Sequence, residues 1–169
     1  LGGEPFCVQK GSPPNTPLSK KTLIFFRKGC AVFEPTLKSA MEYANHGKTE
    51  EWVHCFLLGD EGGNKSLSDA IKSYKPKCIA PKLMRLDLFK RIHEWKAEKY
   101  ALAGEREEWF WNQVNAQVER YNTGEWDMPP LMADMKNREG FYNLFDGNHR
   151  IEALKKLGIK EYWVIGLEE

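Results

Sequence analysis

The sequence predicts an α+β fold, a sheet flanked by helices. Three observations lead there. Runs of β-prone apolar residues lie near 79–85, 130–135, 141–145 and 161–166. Between them, apolar residues recur at helical spacing, and turn chemistry such as Asp146-Gly147-Asn148 sits where one pattern gives way to the other. At 169 residues the chain can bury a good core as one domain.

Residues 1–20 contain Gly2-Gly3, Gly11-Ser12-Pro13-Pro14-Asn15 and Pro17, a composition that disfavours regular structure and reads as a flexible arm. Thr22-Leu23-Ile24-Phe25-Phe26 is β-prone and pairs, on this reading, with Ala31-Val32-Phe33 across Arg27-Lys28-Gly29. Pro35-Thr36 opens a helix to about Asn45, with Leu37, Ala40, Met41 and Ala44 on one face. Glu50 to Leu58 is a second helix, stopped by Gly59, in which His54 is expected to pack rather than to ligate. Gly62-Gly63-Asn64-Lys65 lacks the spacing of a nucleotide-binding P-loop and reads as a connector to a short helix opened by Ser66 or Ser68. Residues 21–75 thus form an N-terminal α/β extension packed on the core.

The main domain is expected over 76–169. It starts with a strand from Lys77 to Arg85, where Lys82 and Arg85 either project toward an anion site or lie as exposed charges on an edge. Asp87 caps a helix carrying Leu88, Ile92 and Trp95. After Ala103-Gly104 a second helix carries Phe110, Val114, Val118 and Tyr121, and Asn122-Thr123-Gly124 ends it. This long helical insertion is rich in aromatics, among them Trp109, Phe110, Trp111 and Trp126. Aromatics at helical spacing usually pack, although rings among Lys90, Arg91, Lys96, Arg106 and Arg120 could also stack nucleobases. Pro129-Pro130 begins an extended segment through Asp134, and Lys136 to Gly140 form a turn.

The passage from Phe141 to Gly158 organises the rest. Phe141 to Phe145 suits a short buried strand, Asp146-Gly147-Asn148 a tight turn, and Ile151, Leu154 and Leu157 one face of a helix ended by Gly158. A helix start presents unpaired N–H groups and the positive end of the macrodipole, so it attracts anions. Gly147 would let an anion approach the backbone, Arg150 could add a planar fork for phosphate, and His149 could donate a hydrogen bond or carry a proton. The alternative is that His149 and Arg150 merely cap and solvate the helix start.

Composition narrows the classes. The formal net charge is +1, which is not the strongly basic balance of a nucleic-acid binder. Cys7, Cys30, Cys55 and Cys78 form no C-x-x-C pair, so structural zinc is not expected and reduced thiols are. No apolar run is long enough to cross a bilayer and no signal-peptide pattern opens the chain, so a cytoplasmic protein is expected, with no metal built into the fold.

Asp146-Gly147-Asn148-His149-Arg150 followed by Ile151-Glu152-Ala153-Leu154 resembles the phosphate-binding turn of the ParB/sulfiredoxin superfamily, in the Asp-Gly-x-His-Arg form of ParB-like nuclease domains and free serine kinases. Met128 to Asp134, Ile159 to Ile165 and Ile79 to Arg85 are similar to that family's strands. The resemblance covers roughly residues 76–169 and implies a ParB/sulfiredoxin-like small mixed sheet flanked by helices. It implies that Gly147, Asn148, His149 and Arg150 hold the phosphates of a nucleotide (ATP, ADP or CTP with Mg²⁺), with Lys82 and Arg85 as further binding candidates. His149, Arg150, Asp146 and Asp87 are then the catalytic candidates, for phosphoryl transfer or nucleotide hydrolysis. Asp87 stands nearest the position of the kinases' acidic base, with Glu94 and Glu98 as alternatives. A ParB-like DNA-binding or nuclease module is the second reading and a non-catalytic protein-interaction module the third, with DNA and a second copy of the chain as further partners. Sulfiredoxins carry a catalytic cysteine where this chain has Asn148, so sulfinic-acid reduction is not expected.

Overall fold

The structure is a computed structural model, and it describes residues 33–91, 103–124 and 126–169. The expected arm at 1–20, the strands Thr22–Phe26 and Ala31-Val32 of the expected pairing, and Glu94 and Glu98 lie outside the described residues, and Phe33 is not in a strand. Among the described residues three helices come first: α1 (Leu37–Asn45), α2 (Thr49–Leu58) and α3 (Lys65–Tyr74). Thr36 caps α1 in a capping box with Ser39. Asn64, rather than Ser66 or Ser68, caps α3 by accepting from the Leu67 amide. A Cβ on Gly62 would fall 2.1 Å from the Phe56 carbonyl oxygen, so this glycine is there for close packing on α2.

The strands are β1 (Lys77–Arg85), β2 (Phe89–Arg91), β3 (Leu131–Arg138), β4 (Phe141–Asp146) and β5 (Glu161–Glu168). They form one mixed sheet in the order β1-β5-β3-β4-β2. β5 pairs antiparallel with β1 and parallel with β3, β3 pairs antiparallel with β4, and β4 pairs parallel with β2. Two further helices lie among the described residues, α4 (Ala103–Asn122) and α5 (Asn148–Lys156). The β3–β4 hairpin turns on Glu139 (φ 55°) and Gly140 (φ 86°), two positive-φ residues as a primed two-residue turn requires.

The helix expected to start at Asp87 is not formed over Asp87–Arg91, and its Ile92 and Trp95 lie outside the described residues. Leu86–Leu88 make one 3₁₀ turn and Phe89–Arg91 a short strand, because Leu86 and Phe89 are drawn into the core beside β4. Alternation along the central strands sends side chains to two cores. Met132, Ile165 and Leu167 meet Trp52, Phe56, Leu57 and Ile71 beneath α1–α3. Leu131, Ala133, Leu144 and Val164 meet Ile151 and Leu154 of α5 on the other face. Fully burying side chains of that size contributes about 1.5–3 kcal/mol each, which is what fixes α5 against the sheet. No helix among the described residues is long and apolar enough to cross a membrane.

Candidate functional site

β4 ends at Asp146, and Gly147 turns the chain into α5 at φ 99° and ψ 24°. A Cβ there would sit 2.6 Å from Leu131 Cδ2 and 3.1 and 3.2 Å from Arg150 Nη2 and Nε. Glycine is therefore required twice, by the backbone and by the guanidinium packed against it. Having no side chain, Gly147 cannot cap α5 itself. The first turn of α5 holds no acidic residue, and Lys155 and Lys156 in its last turn complement the negative end of the helix.

Arg150 is not the solvent-facing fork that the sequence suggests. It is 5% exposed. Its Nη2 donates to Asp146 Oδ2 at 2.5 Å and to the Pro130 carbonyl at 3.3 Å, and its guanidinium carbon lies 5.0 Å from the centre of the Phe56 ring. The physical reason is its place on the helix: Arg150 adjoins Ile151, Ala153 and Leu154, which are buried, and Asp146 four residues back supplies the countercharge. Arg150 thus spans from the α5 side of the sheet to Phe56 of α2. Nε is buried without a hydrogen-bond partner. A two-pronged grip on phosphate is not open to a guanidinium held this way.

Asn148 and His149 remain nearer the surface, both half-buried. Asn148 Oδ1 is buried with no hydrogen-bond partner. The His149 ring stands edge-on to Trp109, with centroids 5.2 Å apart and planes at 82°, and tilts against Phe110 at 4.7 Å. Farther along, Lys156 donates to Asn115 Oδ1 at 2.9 Å and lies over the Trp111 ring, tying α4 to α5. Val114 is fully buried. Among the described aromatics of the insertion, Phe110 and Trp111 are half-buried, whereas Trp109 is 57% exposed and stands beside the first turn of α5. Sequence reasoning did not connect Trp109 with the turn, since nothing in the spacing records a contact across forty positions.

Lys82 and Arg85 are not brought to the turn. β1 is three strands away from β4 in the sheet, roughly 14 Å at ordinary strand spacing. Arg85 is exposed and grips Asp87 through two hydrogen bonds, Nε to Oδ1 at 3.1 Å and Nη2 to Oδ2. That hydrogen bonding holds the Asp87 carboxyl below its usual range, which makes it a weaker base. Asp146 is likewise committed, to Arg150.

One other cluster has a catalytic look. His54 Nδ1 lies 2.8 Å from Ser68 Oγ, and His54 Nε2 3.7 Å from Glu50 Oε1. Ser68 is 0% exposed, so no substrate reaches its oxygen, and the arrangement serves to latch α3 to α2.

Among the described residues no group of three His, Cys, Asp or Glu is placed to hold a metal ion. The candidate carboxylates Asp146 and Asp87 are each paired with an arginine. Among the described residues, therefore, no Mg²⁺ site is built at the turn.

No family model matches the chain. No curated protein matches it either. Among solved structures, it is similar to a mutant free serine kinase in complex with ADP, at 20% identity and a TM-score of 0.38 over 54% of this chain and 33% of that one. The chain spans about a third of that kinase's length, and a likeness so slight bears on neither fold nor chemistry.

Proposed function

We propose that the turn Gly147-Asn148-His149, held by the buried Asp146–Arg150 pair, binds the phosphates of a nucleotide. The observation that carries the reading is the start of α5. Its positive end has no acidic side chain in the first turn, and it begins at a glycine whose geometry a buried ion pair enforces. Arg150 offsets the charge of Asp146, so the carboxylate beside the turn does not repel an anion. Arg150 is a positioning residue on this reading, and Asn148 and His149 are the side chains within reach of a ligand. The resemblance of Asp146 to Arg150 to the ParB/sulfiredoxin phosphate turn supports the same ligand class.

The activity proposed with it is transfer or hydrolysis of the terminal phosphoryl group. His149 is the residue for the reacting end, because it stands in the first turn of α5 beside the exposed Trp109. Phosphoryl transfer asks mainly for positioning and charge stabilisation, which a helix start and a hydrogen-bond donor supply in part. Any Mg²⁺ would arrive on the nucleotide's own phosphates. The DNA-binding and nuclease reading gains nothing from a net charge of +1.

A thermal-shift panel tests this. ATP, ADP or CTP at 100 times its Kd adds about 2.7 kcal/mol to the folded state and raises Tm, whereas a matched salt control does not. His149→Ala and Asn148→Ala reduce the shift while leaving the ligand-free melt intact. No response to any nucleotide overturns the proposal.

A further inference from the structure

We infer that the exposed indole of Trp109 is a stacking platform for the base of the nucleotide. The ligand is then a nucleotide recognised at both ends, rather than any phosphate or polyphosphate. This rests on the phosphate reading of the Gly147 turn and extends it to α4.

The α4–α5 interface does not need this indole. Val114 is fully buried, and Lys156 joins the helices through Asn115 and Trp111. Trp109 nevertheless stands in the same place, 57% exposed, with its ring 5.2 Å from that of His149. An exposed tryptophan held at the positive end of a helix offers two different things side by side. One is a broad apolar π-face, and the other is a set of backbone donors with a histidine. A nucleotide has the matching pair, a flat aromatic base and a polyanion joined by a sugar, and inorganic phosphates have only the second. Stacking tolerates any base, so the platform sets ligand class more than base identity, with purines favoured by their larger face.

The test compares ATP with inorganic tripolyphosphate by calorimetry, on wild type, Trp109→Ala and Trp109→Phe. The expected result is that both ligands bind wild type, ATP more tightly. Trp109→Ala then weakens ATP by roughly 5- to 150-fold, the range of one base stacked on an aromatic residue, while tripolyphosphate is unaffected and Trp109→Phe keeps most of the ATP affinity. The exposed position leaves the melting curve of the variant in place, so a loss is read as binding. Equal affinity for ATP and tripolyphosphate in wild type, or an unchanged ATP affinity in Trp109→Ala, overturns the inference and leaves the phosphate reading standing, with Trp109 then a contact for a protein partner. Binding of neither ligand overturns both.

Discussion

Asp146 and Arg150 close on each other around the Gly147 turn, with side chains only 14% and 6% exposed, and Arg150 also donates to the Pro130 carbonyl. The two residues are four apart, yet they belong to different elements, the end of β4 and the first turn of α5. Removing one partner strands the other charge away from water. Arg150→Ala or Asp146→Asn should each destabilise the fold, the arginine change by about 3–5 kcal/mol. The double change Asp146→Asn with Arg150→Met should cost clearly less than the two single changes added together, because no lone charge remains. Urea denaturation of the three variants checks this, and single variants that unfold like wild type would show that the pair does not hold the turn.

Gly147 and Gly158 bracket α5, both with positive φ, but they should respond differently to a methyl group. At Gly158 a Cβ meets nothing within 4 Å, so Gly158→Ala carries only the backbone penalty, about 1 kcal/mol. At Gly147 the same Cβ runs into Leu131 Cδ2 and the Arg150 guanidinium, adding a packing cost of about 1–3 kcal/mol. Gly147→Ala is thus expected to lower the melting temperature several degrees more than Gly158→Ala. Equal losses would mean that the turn yields where these contacts say it cannot.

The strand, turn and helix at 141–158 were legible because local signals agree there. Ile151 and Leu154 mark a buried helical face, and Gly147 marks a backbone that other residues avoid. The strand Lys77–Arg85 and the helices over 49–58 and 103–122 were legible for similar reasons of pattern. What the sequence hid was long-range. Arg150 turns inward toward a carbonyl twenty residues back and a phenylalanine ninety-four back, neither of which leaves a local trace. Lys82 and Arg85 are separated from the turn because β5 and β3 lie between β1 and β4, and strand order is not written in periodicity. Phe89-Lys90-Arg91 carries no strand signal of its own and is extended because β4 offers a free edge to pair with.

His54 and Ser68 make a latch that stability, not activity, should reveal. The 2.8 Å contact between Nδ1 and Oγ joins α2 to α3 at a serine fully withdrawn from solvent. Ser68→Ala should cost about 0.5–1.5 kcal/mol of folding free energy, the usual net worth of such a bond. It should leave ligand binding at the Gly147 turn unchanged, since α3 contributes nothing there. Chemical denaturation beside a nucleotide titration of the same variant separates the two effects.

Alkaline pH should weaken the fold in two stages. Burial pushes the Cys78 thiol from 9.0 up to about 11, with Glu50 adding to the shift, and burial also drives the Tyr162 phenol well above its ordinary 10.0. Both groups are neutral when protonated, and the folded chain holds those protons more tightly than the unfolded chain does. Their contribution is therefore fully present below the unfolded pKa and is lost as pH rises toward the folded one. Cys78 should lower the urea midpoint between about pH 9 and 11. Tyr162 should continue the decline from about pH 10 upward. Cys78→Ala should flatten the first part of the curve. Tyr162→Phe should flatten the second, after a loss of about 1 kcal/mol at neutral pH from the missing hydrogen bond, 2.6 Å long, to the Met128 carbonyl. A Cys78→Ala curve running parallel to wild type from pH 8 to 11 would show that the thiol is not the group responsible.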